Sequence, residues 1–229
     1  MEPLKPDISY HIFNHANGFE NIFKEDENFS YFLEKYSLYI APIAETYAYC
    51  LLPNHFHLVV RIRKREVVEE VIRSRNNNFS KVLTNNFSKV PNFGKVEVES
   101  SRKNYNNAEI EKFLSKQFAN LFSCYTQSFN KRFKRMGSLF IKNFKREVIL
   151  DKEYFLNAIA YTHRNPIHHG FCKTYTDWGY SSYSEVIEQR SRVVETVKLI
   201  KIFGGLPGFI EFHQDYLSKL NQQIELDID

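Results

Sequence analysis

Cysteine is scarce in this chain. Cys50, Cys124 and Cys172 are odd in number, far apart, and form no Cys-x-x-Cys pair. That argues against a disulfide framework and a structural zinc site, and it points to a reducing cytoplasm. No apolar run is long enough to span a bilayer, and no apolar N-terminal segment of the signal-peptide kind appears, so a soluble protein with no membrane partner is expected. A Gly-x-x-x-x-Gly-Lys-Ser/Thr phosphate loop is also missing. None of the eight histidines has Ser or Thr two positions on, which sets aside a phosphoesterase built on paired His-x-Ser/Thr.

What is present suffices for a sizeable core. The 229 residues are 43% hydrophobic, with 21 Phe and 14 Tyr, and the formal net charge is only +4. Charge is unevenly placed, however. Lys131, Arg132, Lys134, Arg135, Lys142, Lys145 and Arg146 follow one another without an intervening acid, a local basic surface suited to a polyanion. The segment 224–229 is acidic and is expected to compete with a polyanion for that surface.

Ser9–His15 reads as a strand ending in a turn at Asn17-Gly18. Phe29, Phe32, Leu33, Tyr36 and Ile40 repeat at helical spacing up to Pro42. Thr46–Leu52 and His55–Arg63 form a hairpin around Pro53-Asn54. A short helix near Glu66–Ile72 should lead into a polar insert, about 73–107, read as a loop with a weak hairpin; its echo, Asn78–Val82 and Asn86–Val90, is too short for a solenoid. A long helix is expected over Ala108–Phe133, a strand or hairpin over Ser138–Leu150, and a helix from Asp151 as N-cap to Arg164, ended by Pro166. Helices near Val186–Phe203 and Pro207–Leu220 follow. This order predicts an α+β fold, a ferredoxin-like (RRM-like) antiparallel sheet with helices on one face. Residues 1–185 would form the main domain and 186–229 a C-terminal helical extension.

Two clusters carry chemistry. His55 and His57 alternate with Phe56, so both imidazoles leave one face of the strand. Such a pair is either two polar surface positions or half of a metal site; imidazole suits Mn or Zn, and an added oxygen ligand favours Mg or Mn. In the second cluster, Tyr161 and Asn165 stand one helical turn apart. Tyr161 is either a boundary tyrosine or a nucleophile toward a phosphodiester, and Asn165 either a helix-ending residue before proline or a third metal oxygen. Phe133, Phe140 and Phe144 interleave with the basic residues and either stack on unpaired bases or face inward. Trp178 and Tyr180 read as packing residues that close the tyrosine helix onto the sheet.

Tyr47–Val60, with its Leu-Pro-Asn-His-Phe-His-Leu-Val-Val run, resembles the signature of the single-tyrosine HUH transposases. Ala160–Gly170, Asp177–Tyr183 and the opening Tyr10–Asn14 resemble the REP-associated tyrosine transposase branch, and the likeness spans residues 8 to 185. It implies that His55, His57 and Asn165 bind a divalent metal, Mg or Mn, and that Tyr161 is the catalytic nucleophile. The reaction implied is cleavage and rejoining of single-stranded or hairpin DNA through a 5′-phosphotyrosine link, with the seven basic residues contacting DNA. Homodimers occur among such proteins, with the tyrosine supplied in cis or in trans. The competing readings are a domesticated protein that binds structured DNA or RNA without cutting, and a hydrolase using the histidines alone.

Overall fold

A computed structural model describes residues 2–87 and 104–226. The chain runs β1 (Ser9–His15), α1 (Asp26–Tyr39), β2 (Ala44–Leu52), β3 (His55–Ile62), α2 (Arg65–Phe87), α3 (Asn107–Arg132), β4 (Lys145–Ile149) and α4 (Lys152–His168). After a 3-10 turn at Tyr175–Asp177 come α5 (Ser182–Ile187), α6 (Thr196–Ile202) and α7 (Leu206–Leu226). The strands form one antiparallel sheet in the order β2-β3-β1-β4. This is the ferredoxin-like split β-α-β arrangement, an α+β fold.

Strand alternation sorts side chains between two layers. Tyr10 and Ile12 of β1, with Phe56, Leu58 and Val60 of β3, meet α1 and α3. Phe56 lies 5.4 Å from Phe32 of α1 and 5.6 Å from Phe122 of α3, ring centre to ring centre. This face is the aromatic core, and burying rings of this size supplies most of its stabilisation. On the other face α4 crosses β2 and β3, with Phe155 edge-on to Tyr47 at 5.0 Å. The sheet is thus covered on one side by α1 and α3, and over half of the other by α4.

The edges differ. The outer edge of β2 is sealed by the segment after α4: Leu51 N–H donates to Tyr180 O, Trp178 Nε1 to Leu51 O and Glu195 N–H to Thr46 O, each at 2.9 Å. Trp178 and Tyr180 therefore secure β2 and, through Tyr180 stacked 3.6 Å from Phe29, α1. They do not clamp the tyrosine helix. At the opposite edge stands β4.

Four expectations change. Residues 73–87, expected in a loop, continue α2, which takes in the first echo copy; Glu69 accepts from both Arg65 and Arg73, at 2.9 and 2.8 Å, and such one-turn pairs support a polar helix. Residues 88–103, with most of the second copy, lie outside the described residues, as do 227–229 of the acidic end. Pro166 does not end its helix. It lies inside α4, and the stop falls at Gly170 (φ 73°), where Gly170 N–H reaches Ile167 O and Phe171 N–H reaches Pro166 O, a Schellman closure. The expected strand over Ser138–Leu150 shrinks to Lys145–Ile149 plus one bridge from Phe140 to Ala16. The helix expected over 186–203 is broken at 188–195, because Val194 lies bridged beside Thr46 and Glu195 N–H donates to Thr46 O of β2 instead.

Candidate active site

The register of β1 on β3 sets His15 opposite His55 and Phe13 opposite His57. Both histidine pairs rise from the face under α4. His15 stacks on His55 at 4.7 Å, and His11 on His57 at 5.1 Å. His55 and His57 are 3% and 5% exposed. Their tautomers follow from their partners. His55 Nδ1 lies 2.7 Å from Asn54 Oδ1, an acceptor, so the proton sits on Nδ1 and Nε2 keeps its lone pair. His57 Nδ1 lies 3.0 Å from His11 Nε2, and His11 Nδ1 faces the Glu147 carboxylate at 3.8 Å. With a proton on each Nδ1, the chain runs from His57 to His11 to Glu147 and leaves His57 Nε2 free. A ligand histidine is commonly oriented through such an outer partner.

Burial decides their charge. Desolvation, helped by His15 and His169, pushes His55 down to about 3. Burial and its neighbours hold His57 well below the ordinary imidazole range. His11 is lowered by burial too, though Glu147 opposes the shift. These imidazoles are neutral near pH 7, the form that binds a metal.

The second half of the site comes from α4. Asp151 Oδ1 accepts from Tyr154 N–H at 2.7 Å and starts the helix. Ala158 to Asn165 are all buried except Tyr161, which is 37% exposed. Its ring stands edge-on to His57 at 5.5 Å and to His11 at 5.8 Å. One turn on, Asn165 Nδ2 donates to the Tyr161 carbonyl at 2.8 Å, while Asn165 Oδ1 is buried without a partner. His11, His15, His55, His57, Tyr161 and Asn165 line one cavity of about 510 Å³, together with Glu147, Tyr154, His169 and Tyr216 of α7.

An orphaned amide oxygen beside two free imidazole nitrogens fits a hard or borderline divalent cation. Among the described residues no three His, Cys, Asp or Glu side chains gather as a metal site by themselves, so a metal held by His55 and His57 would need Asn165 as its third protein ligand. Two larger clefts, of about 680 and 760 Å³, lie elsewhere and contain no histidine. Chemistry, not size, selects the histidine cavity.

The basic block is not one surface. Arg132 is engaged by Glu25 and, at 3.9 Å, by Glu27. Arg135 is held by Glu20, Asn130 Oδ1 and the carbonyl of Ser138, which removes it from phosphate binding and makes it a clasp on the end of α3. Lys131, Lys134 and Lys142 are exposed. Lys145 points to the histidine side, its Nζ 5.8 Å from the Phe13 ring, and Arg146 points to the opposite side. Phe140 and Phe144 turn inward against Phe122 at 5.2 and 5.5 Å. Phe133 packs on Phe129 at 4.5 Å, under the Lys24 ammonium.

Sequence reasoning missed His11, His15 and Glu147. The signal was available for the histidines, since His11-x-Phe13-x-His15 alternates like His55-x-His57 and sits on a strand. Glu147 and Tyr216 left none, because only the sheet register and the docking of α7 bring them in.

No known protein-family model matches the chain, and no curated protein matches it. Among solved structures, a REP-associated tyrosine transposase bound to a REP hairpin is similar over 82% of this chain and 84% of its own, with a TM-score of 0.49 and 12% identical residues. At this score and identity the likeness settles neither family nor function.

Proposed function

We propose that this protein cleaves and rejoins single-stranded DNA by transesterification at Tyr161. One observation carries the reading: in a buried stretch of α4 the one exposed side chain is a tyrosine, and it opens into the cavity where Asn165 Oδ1 and two neutral imidazoles present unused lone pairs. His55 Nε2, His57 Nε2 and Asn165 Oδ1 would hold a Mg or Mn ion. Such an ion, when bound, polarises a phosphoryl oxygen and offsets charge that develops there.

The chain's own groups do the rest. Tyr161 Oη gives up its proton and bonds to phosphorus, and the P–O3′ bond breaks. The departing 3′-oxygen takes up a proton, leaving a 5′-phosphotyrosine and a free 3′-hydroxyl. Attack by another 3′-hydroxyl reverses the step and restores the phenol, so the bond energy is conserved and no nucleoside triphosphate is consumed. Lys145, beside Phe13 on the cavity wall, supplies positive charge near the strand's phosphates. His11 and Glu147 keep His57 in the tautomer that exposes Nε2. A DNA hairpin is the preferred substrate on this reading, its unpaired flank being the part that enters the cavity.

The test is a denaturing gel of end-labelled, hairpin-containing single strands with Mn or Mg, comparing wild type with Tyr161→Phe. A metal-dependent protein–DNA adduct lost in the variant supports the proposal. Cleavage that survives Tyr161→Phe assigns the chemistry to the histidines alone, and binding without an adduct in either protein assigns a non-catalytic DNA-binding role.

A further inference from the structure

Behind the sheet from the tyrosine cavity lies a groove of about 680 Å³ between α3 and the segment leading into β4. Phe122, Phe140 and Phe144 floor it. Ser123 and Thr126 of α3 stand on one wall and Lys142 on the other. Arg146 enters from β4 with its guanidinium carbon 4.9 Å above the Phe144 ring, and its Nε and Nη1 are buried without a hydrogen-bond partner. Unpaired donors on a half-buried guanidinium are costly in a folded protein, and an anionic group in the groove would supply the missing acceptor and the counter-charge. The cleft is much larger than a phosphate and largely apolar at its base. A ligand that fills it therefore joins an anionic group to a flat, weakly polar body, with edges for the hydroxyls of Ser123 and Thr126. A nucleotide unit has that build.

We infer that this groove binds one or a few nucleotides of single-stranded DNA, with a phosphate on Arg146. Position strengthens the assignment. β4 is a sheet edge, and its alternation sends Lys145 to the histidine face, over Phe13, and Arg146 to the groove. A strand leaving the cavity past Lys145 turns around this edge and meets Arg146 on the far side, a path on the order of the 10 Å that separates packed layers. Paired bases are not free to enter such a cleft, so the groove selects unpaired DNA. The inference deepens the function proposed above by naming a second contact surface, and the two can fail separately.

The experiment measures anisotropy of a labelled single strand of roughly ten nucleotides, within ordinary site sizes, and of its blunt duplex, across a salt series. Wild type is compared with Arg146→Met, Arg146→Lys and Ser123→Glu. Arg146→Met is expected to weaken single-strand binding by about tenfold and to lower the salt slope by about 0.7, one phosphate contact, leaving the duplex unaffected. Arg146→Lys should recover part of the affinity. Ser123 is exposed on α3, so Ser123→Glu leaves the core alone and should weaken the single strand by its charge. Unchanged affinity and slope in folded Arg146→Met and Ser123→Glu would overturn the groove assignment even if the Tyr161 adduct forms. Groove-dependent binding without any adduct would overturn only the nucleophile.

Discussion

Two groups of buried histidines flank α4, and they differ in how their nitrogens are used. His163 lies two residues from Tyr161, about 200° around the helix. Its Nδ1 donates to His213 Nε2 at 2.9 Å, and its Nε2 accepts from Ser182 Oγ at 2.8 Å. His213 Nδ1 in turn donates to the Phe209 carbonyl at 2.7 Å, and Ser182 Oγ accepts from Tyr49 N–H at 2.9 Å. Every nitrogen is spoken for, so the relay ties β2, α5, α4 and α7 together and leaves nothing for a ligand. On the sheet side His55 and His57 each spend one nitrogen on the protein and keep one facing a cavity. The two groups are alike in residue type, burial and neutrality. Only the accounting of lone pairs separates a fully bonded set from one with nitrogens left for a ligand.

The largest effect expected from breaking this contrast is on chemistry. His57→Ala should reduce adduct formation per folded molecule by about 100-fold or more, with a smaller loss of stability than at His213, because His57 already borders a cavity and its bond ties only β3 to β1. An unfolded His57→Ala, or a fully active one, would erase the distinction. Next comes His213→Ala, which orphans His163 Nδ1–H and leaves a void. A loss of about 2–4 kcal/mol in urea unfolding is expected, with normal adduct yield per folded molecule. A smaller, pH-dependent effect sharpens the comparison. Burial lowers His213 to about 4. The unfolded chain therefore takes up a proton near pH 6.5, whereas the folded one does so only near 4. Stability falls as pH drops through this window and levels below it, by on the order of 3 kcal/mol. His163 shifts the same way. His213→Gln should flatten that part of the profile, and an unchanged slope would refute the linkage. Smallest is Arg132→Ala, whose pairs with Glu25 and Glu27 lie at the surface. Less than about 1 kcal/mol of stability and less than a twofold change in DNA affinity are expected.

The parts of this fold that obey a short period were readable from sequence. β1, the β2–β3 hairpin and α3 fall within about two residues of their expected bounds, because alternation and the helical stripe are local signals. Asp151 capped its helix as its side-chain chemistry suggested. Long-range pairing was opaque. Arg135 looked like one member of a basic run until Glu20, 115 residues away in the chain, closed on it. The bridging of Val194 to Thr46 interrupts a helical pattern that nothing local forbids. Pro166 misled for a different reason. Proline stops a helix only where its missing N–H and its ring are not tolerated, and α4 runs through Pro166 to His168. At the site, the clusters around His55 and Tyr161 were visible as residue types at useful spacing, and the structure brings them to one cavity. His11, which orients His57, was visible in the same alternation and passed over.

Tyr161 and Asn165 are one helical turn apart and are fastened by the bond from the Asn165 amide to the Tyr161 carbonyl. The distance from phenol to amide oxygen is therefore built into a single stiff piece. The distance from either to the histidines depends on how α4 beds against β2 and β3. The site has one joint rather than many, and all its slack collects there. Whatever loosens that bedding, be it heat, a core substitution or strain passed along by α7, parts the two halves cleanly and spares the internal gauge of each.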